Sequence, residues 1–196
     1  MAKKYSIIYA DPPWRYNQKG VSGAAEKHYP TMSIEELCAL PVAEISASDS
    51  VLFLWTTFPQ LPSALQLIKA WGFSYKTVGF VWLKKNRKSD SWLCGMGFWT
   101  RGNAEICLLA TKGHPKRKAA NVEEIFSAKT PVSCPDNTNY PAEFHGELAR
   151  IWLKLSHICP ETQITAEMLK ITSTGRSLKQ TISDSQYHFG YVSLKD

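Results

Sequence analysis

The stretch Tyr5-Ser6-Ile7-Ile8-Tyr9-Ala10-Asp11-Pro12-Pro13-Trp14 decides how the chain is read. Residues 5–10 are apolar and rich in β-branched and aromatic side chains, which suits a strand. Pro12 and Pro13 fit neither a helix interior nor a central strand, so the strand must stop at Asp11. Asp11 then stands at the carboxyl end of a strand, where open α/β sheets place their ligands.

Outward from there, Ser33 opens a helix, with Glu36 three residues on completing a capping box. Residues 51–55, Val-Leu-Phe-Leu-Trp, form a continuous apolar run suited to a parallel strand covered on both faces. Leu61, Leu65 and Ile68 recur at helical spacing within residues 60–71, and Gly72 ends that helix. Residues 75–83 and 104–110 are further strands. The basic stretches 84–88 and 112–118 and the Gly-rich 95–102 are expected as loops. Residues 131–141 are rich in Pro, Asn and Asp and must be irregular. Phe144, Leu148, Ile151, Trp152 and Leu155 line one face of a helix expected over 143–155. Residues 163–169 and 187–194 are weaker strands, separated by a polar segment with little pattern. Strands alternating with helices predict an α/β fold, with a mostly parallel central sheet flanked by helices.

Composition narrows the class. The chain has 196 residues, 44% hydrophobic and 20% charged. That suits one domain over 1–196 with a core of its own. It excludes a disordered chain. No run of about 18 apolar residues is present, which excludes a membrane-spanning helix. The first residues run straight into the strand, without the apolar run and cleavage site of a signal peptide. The five cysteines are scattered and form no Cys-x-x-Cys pair. A disulfide framework or zinc ribbon is therefore not expected, and a reducing cytoplasm is. His114 and His145 lack metal-ligand spacing, and no metal is expected. Cys38, Cys107, Trp55 and Trp71 read as core. The net charge of +6 suits an anionic partner.

The tetrapeptide Asp11-Pro12-Pro13-Trp14 carries chemistry. Two prolines hold the backbone extended, so that their carbonyls should point outward without a ladder partner. Asp11 adds a carboxylate acceptor, and Trp14 a flat face for stacking. Together these suit a planar ligand bearing an NH2 group. Such an amine is a poor nucleophile because its lone pair conjugates into the ring. Two acceptors on its hydrogens oppose that conjugation, which is preorganisation for attack on an electrophile.

Further segments occur in a fixed order. They are Ala24-Ala25-Glu26-Lys27-His28-Tyr29-Pro30-Thr31-Met32-Ser33, Leu52-Phe53-Leu54-Trp55-Thr56, and Gly97-Phe98-Trp99-Thr100-Arg101-Gly102-Asn103-Ala104-Glu105. With Asp-Pro-Pro-Trp, the chain resembles the MT-A family of adenine-N6 methyltransferases, and its small bacterial and phage DNA-modifying members most. The match is close over residues 5–117, and residues 118–196 are diverged. The resemblance implies a Rossmann-like fold, S-adenosylmethionine as methyl donor, and adenine in DNA as acceptor. It assigns Asp11, Pro12, Pro13 and Trp14 to the target amine, and Ala10 and Asp11 to the donor's methionine end. Asn103 and Glu105 match a segment that braces the active-site loops.

The diverged part departs from the family pattern. Tyr140 stands where the family has a lysine, and a tyrosine cannot supply a permanent positive charge. The donor-binding strand is Glu167-Met168-Leu169-Lys170-Ile171, and no Gly-Asn-Gln triplet follows, Gln180 being the nearest polar candidate. Donor contacts are accordingly expected from Tyr140, Glu167, Leu169 and Gln180.

Basic loops interleaved with aromatics suit a phosphate backbone beside an extruded base. Lys84, Lys85, Arg87, Lys116 and Arg117 are the expected phosphate contacts. Tyr16 would help Trp14 sandwich the base. Trp99, Arg101 and Asn103, between the basic loops, are further expected nucleic-acid contacts. DNA is the expected partner, RNA remaining open, along with a homodimer or a methyltransferase-like partner. A rival reading is a methyltransferase-like pseudo-enzyme with little donor affinity, which the loss of the lysine favours. A third is methyl transfer to another conjugated amine, such as that of cytosine or glutamine.

Overall fold

The computed structural model describes residues 4–16, 31–86, 88–97, 99–129, 168–171, 180–181 and 188–191. An eight-stranded sheet organises them, in the order β5-β3-β4-β2-β1-β6-β8-β7. The strands are β1 Tyr5–Ala10, β2 Ser46–Thr56, β3 Ser74–Lys85, β4 Glu105–Lys112, β5 Ile125–Lys129, β6 Met168–Ile171, β7 Gln180–Thr181 and β8 His188–Tyr191. The parallel pairs are β1 with β2 and β6, β6 with β8, and β3 with β5. β4 runs antiparallel to both β2 and β3, and β7 antiparallel to β8.

Every residue of β1 is buried. Its alternation divides the core in two. Ile8 and Ala10 face the cluster built with Leu52, Leu54, Ile106 and Leu108 under the helices. Ile7 and Tyr9 face the opposite cluster of Phe53, Trp55, Phe80 and Cys107.

The helices on the first face are short. α1, Ile34–Cys38, begins at Ser33, whose hydroxyl accepts from the Glu36 amide while Glu36 accepts from the Ser33 amide. That is the expected capping box. α2, Val42–Ile45, precedes β2. α3, Leu61–Ala70, follows a 3-10 turn over Phe58–Gln60 and buries Ala64, Leu67 and Ile68. Gly72 ends it at φ +80°. Its amide donates to the Lys69 carbonyl and that of Phe73 to the Ile68 carbonyl, each at 3.0 Å. This is a Schellman closure, which needs the left-handed residue that glycine supplies without cost. Trp71, between α3 and Gly72, is fully buried, and its indole N–H donates to the Leu37 carbonyl at 2.9 Å.

Some boundaries differ from expectation. β2 and β3 run longer than their apolar segments, and β3 carries Lys84 and Lys85 inside the strand. β5 was not expected; it pairs along the end of β3, with Lys85 opposite Lys129. The helix expected over 143–155 lies outside the described residues.

Candidate active site

Strand directions decide which residues meet. β1, β2, β3 and β6 are oriented alike, so Asp11, Thr57 and Asn86 follow their strands at one rim, where β6 ends at Ile171. β4 runs the other way and brings Asn103 and Glu105 to that same rim. β1 lies between β2 on one side and β6 on the other. That is a point where the strand order reverses, the place for a ligand crevice in such sheets.

Asp11 is exposed immediately beyond the fully buried Ala10. The turn after it is internally bonded. The Trp14 amide donates to the Pro12 carbonyl at 2.9 Å, and the Met32 amide to the Pro13 carbonyl at 2.8 Å. The Arg15 amide returns a bond to the Met32 carbonyl at 3.2 Å. The proline carbonyls are therefore not without partners, contrary to the sequence expectation. The chain re-entering at Met32 forms a short parallel bridge with Trp14. It takes one lone pair of Pro13, while Pro12 is closed into a tight turn. Each carbonyl keeps a second lone pair.

Trp14 is an anchor rather than an open stacking face. It is 6% exposed and belongs to the core under the helices. Its indole N–H donates to the Trp55 carbonyl at 3.1 Å. Tyr16 is half-buried against the same cluster, and its hydroxyl meets Thr57 Oγ1 at 3.0 Å. Burial raises its pKa. Gln60 fastens the next residue back by donating to the Arg15 carbonyl at 2.8 Å. The loop bearing Asp11 is thus held from three elements.

Beneath it on the other face, Trp55 donates to the Tyr9 hydroxyl at 2.6 Å. Burial pushes the Tyr9 hydroxyl well above the ordinary tyrosine value, with Cys107 and Asp11 pushing the same way. The Cys107 thiol is likewise pushed up by burial, then by Asp11. Neither group is poised for acid–base work near neutral pH. Both are neutral packing beneath the site.

The MT-A70 family model matches residues 5–144. The chain belongs to the MT-A70 family. Its fold is accordingly the Rossmann-like methyltransferase fold, here with β4 and β7 reversed in an otherwise parallel arrangement. The family match continues beyond Arg117, where the resemblance by motif ends. Two similar proteins carry methyltransferase names. One is the Type II methyltransferase M.MunI of Mycoplasma sp., 38% identical over 145 residues, or 63% of this chain and 59% of the relative. The other is a putative N(6)-adenosine-methyltransferase MT-A70-like of Medicago truncatula, 30% identical over 115 residues, or 58% of this chain and 17% of the relative. The matched segments thus span less than two thirds of either relative.

Within this MT-A70 chain several residues expected on nucleic acid have other duties. The Lys84 ammonium pairs with Glu105 and lies 5.0 Å from the Trp82 ring centre. Its side chain is only 19% exposed, so it is a strut between β3 and β4 rather than a free phosphate contact. Asn103 accepts from the Lys84 amide at 3.0 Å and donates to the carbonyls of Lys84 at 2.9 Å and Leu93 at 2.6 Å. Both amide hydrogens and one lone pair of the amide oxygen are used within the protein, so Asn103 acts as a brace. Lys85 pairs with Asp90 at 3.3 Å and lies 5.7 Å from the Trp92 ring centre.

Lys116 and Arg117 are exposed, on the stretch that leaves β4 at its far end. β4 starts beside the site and ends at Lys112. Seven steps of about 3.3 Å put the end of β4 roughly 23 Å from its start. There the His114 amide donates to Asp49 at the start of β2. From there the chain turns back, and Lys116 and Arg117 border a groove of about 540 Å³ lined by Val51, Gly79 and Leu109, over the middle of the sheet. The two basic stretches therefore leave the sheet at opposite rims. Sequence gives no direction for β4, and its direction alone separates them.

The donor-side residues distribute unevenly. Ala10 is fully buried, so only its backbone can border a ligand. Leu169 pairs with Ile8 and Gly190 inside the sheet, two residues short of the rim at Ile171. Gln180 sits on β7, the outermost strand, three strand positions from β1. Tyr140, Glu167 and Arg87 lie outside the described residues. Asp11 fits the donor's ammonium end: an exposed carboxylate at the reversal of strand order.

Sequence reasoning missed Met32 and Gln60, which hold the Asp11 loop. Met32 sits in a segment already quoted for resemblance, but nothing in it signals the backbone pairing with Pro13 and Arg15.

Proposed function

We propose that the chain methylates the exocyclic 6-amino group of adenine in DNA, using S-adenosylmethionine as donor, in the cytoplasm. One observation carries this: Asp11 stands exposed where the strand order reverses, in a member of the MT-A70 family. The printed names of the two relatives, a Type II methyltransferase and a putative N(6)-adenosine-methyltransferase, support the chemistry. S-adenosylmethionine, when bound, supplies an electrophilic methyl group. Asp11 accepts a hydrogen of the adenine amine, and the second lone pair of the Pro12 carbonyl accepts the other. Removing the lone pair from ring conjugation makes the nitrogen the nucleophile. Trp14 acts through its anchorage, by keeping Asp11 at the rim.

The test is methyl transfer into adenine-containing duplexes, read as N6-methyladenine by mass spectrometry, alongside calorimetric donor binding. Wild type should bind the donor and methylate. Asp11→Asn should lose about 100- to 1,000-fold in rate. An Asp11→Asn enzyme of undiminished rate would refute the role of Asp11. A folded protein that binds DNA but no donor would support the pseudo-enzyme reading, which Tyr140 in place of the family's lysine favours. Equal transfer to adenine-free DNA would point to another amine.

A further inference from the structure

Beyond β3 the chain builds a narrow finger at the Asp11 rim. Its base is a hairpin in which Leu93 donates to the Lys84 carbonyl at 2.9 Å and Asn86 to the Ser91 carbonyl at 2.9 Å. Asn103 ties both sides of that base together. The finger proper closes where the Gly95 amide donates to the Gly102 carbonyl at 2.8 Å. At its end Trp99 is 99% exposed and Met96 is 82% exposed. Arg101 Nη1 reaches Met96 Sδ at 3.4 Å across the turn.

The two sides of the finger approach closely at Gly95 and Gly97. A Cβ on Gly97 would lie 1.8 Å from the Thr100 carbonyl oxygen, and one on Gly95 2.8 Å from that of Gly102. Backbone meets backbone at both positions, so a side chain larger than glycine's would displace the opposite strand of the finger. Between Ser91 and Gly102 the sequence holds Arg101 and no acidic residue. Asn103, from which the finger springs, heads β4, two strands from β1. That is about 10 Å from the line of Asp11.

We infer that Trp99 is a wedge that enters the base stack of a DNA duplex and fills the gap left when the target base turns out towards Asp11. This rests on the nucleic-acid reading above and specifies how the duplex is opened. A platform for single strands lies in the floor of a groove, where bases settle on it. A fully projecting indole on a tight turn has instead the shape of a side chain inserted between base steps. An uncharged tip beside Arg101 suits insertion past a polyanionic backbone. Extrusion costs least where the base is already unpaired, so a wedge matters most for a fully paired site.

The test uses the full chain with two duplex pools of the same randomised sequence, one fully paired and one carrying mismatched adenines. Affinity is read by fluorescence anisotropy without methyl donor, and kcat/KM by methyl transfer. Trp99→Ala should lose roughly 10- to 100-fold in kcat/KM on paired duplex. The mismatched pool should bring it back to within a few-fold of wild type, and Trp99→Phe should retain most activity on both. The affinity preference for mismatched over paired duplex should widen in Trp99→Ala. Equal losses on both pools would overturn the wedge in favour of simple stacking. No loss on either pool would overturn any role. A change of wild-type dimer to Trp99→Ala monomer without DNA would make the finger a self-association surface and also overturn it. The anisotropy arm needs no catalysis. If wild type transfers no methyl group, the methyltransferase reading fails while the wedge is still decided.

Discussion

Asn103 separates a brace from a DNA contact, and its side chain allows the difference to be worked out. Removing it in Asn103→Ala deletes hydrogen bonds of 3.0, 2.9 and 2.6 Å to the Lys84 amide, the Lys84 carbonyl and the Leu93 carbonyl. Each is worth about 0.5–1.5 kcal/mol net. Because they share one side chain they do not add fully, and the site is half-buried, so about 2–3 kcal/mol is expected. Asn103→Asp is the sharper test. It keeps the acceptor for the Lys84 amide but turns the two donating hydrogens into an oxygen facing two carbonyl oxygens. It should therefore be less stable than Asn103→Ala by about 1 kcal/mol or more, although it is closer in shape. Urea unfolding at unchanged m-value measures both. Hydrogen exchange at the Lys84 and Gly95 amides should speed up in each variant, because the base of the finger loses its tie. If both variants unfold within about 0.5 kcal/mol of wild type and lose DNA affinity instead, Asn103 faces ligand and the reasoning is wrong.

Other substitutions probe the frame around the site. Trp14→Phe should cost about 2 kcal/mol or more, since it empties core volume and breaks the bond to the Trp55 carbonyl, whereas Trp82→Phe should stay within about 1 kcal/mol of wild type because the Trp82 N–H is buried without a partner among the described residues; matched urea titrations compare them. Lys84→Met should lower stability by about 2 kcal/mol by stranding Glu105, yet leave the salt dependence of DNA affinity unchanged, as binding titrations across salt concentration will show. Tyr9 and Cys107 have folded pKa values above their ordinary ones, so the stability they contribute by staying neutral is present below those ordinary values and is lost as pH rises through and past them. Unfolding midpoints should fall above about pH 9. Tyr9→Phe should be less stable at pH 7 by about 1–3 kcal/mol, with Trp55 left unpaired, but show a flatter alkaline decline.

Local rules were legible because they act over a few residues. Two prolines ended β1 at Asp11, and Ser33 with Glu36 opened α1. Gly72 closed α3 because only glycine enters the left-handed region freely. The apolar run at 51–55 gave a buried strand, and the ordered segments from Asp-Pro-Pro-Trp onward indicated the family. The tertiary structure decided what those segments face. A strand shows the same alternation of side chains in either direction, so nothing in residues 104–110 told that β4 is reversed. That reversal starts the basic stretch 112–118 from the far rim and brings Asn103 and Glu105 to the near one. Nor can a lysine or an asparagine show in sequence that its hydrogen bonds are already taken. Lys84 is committed to Glu105 and Asn103 to the β3 backbone by partners 19 to 21 residues away. Trp14 looked like a stacking face beside Asp11 because its type allows it; packing under α1 and α3 made it an anchor. Trp99 lies in the same kind of Gly-rich context as Trp92, and only the tertiary structure shows its indole wholly in solvent while Trp92 is partly covered. Sequence determines which groups are available and where elements begin and end. Strand direction and distant partners determine which groups remain free, because they depend on contacts that no local pattern encodes.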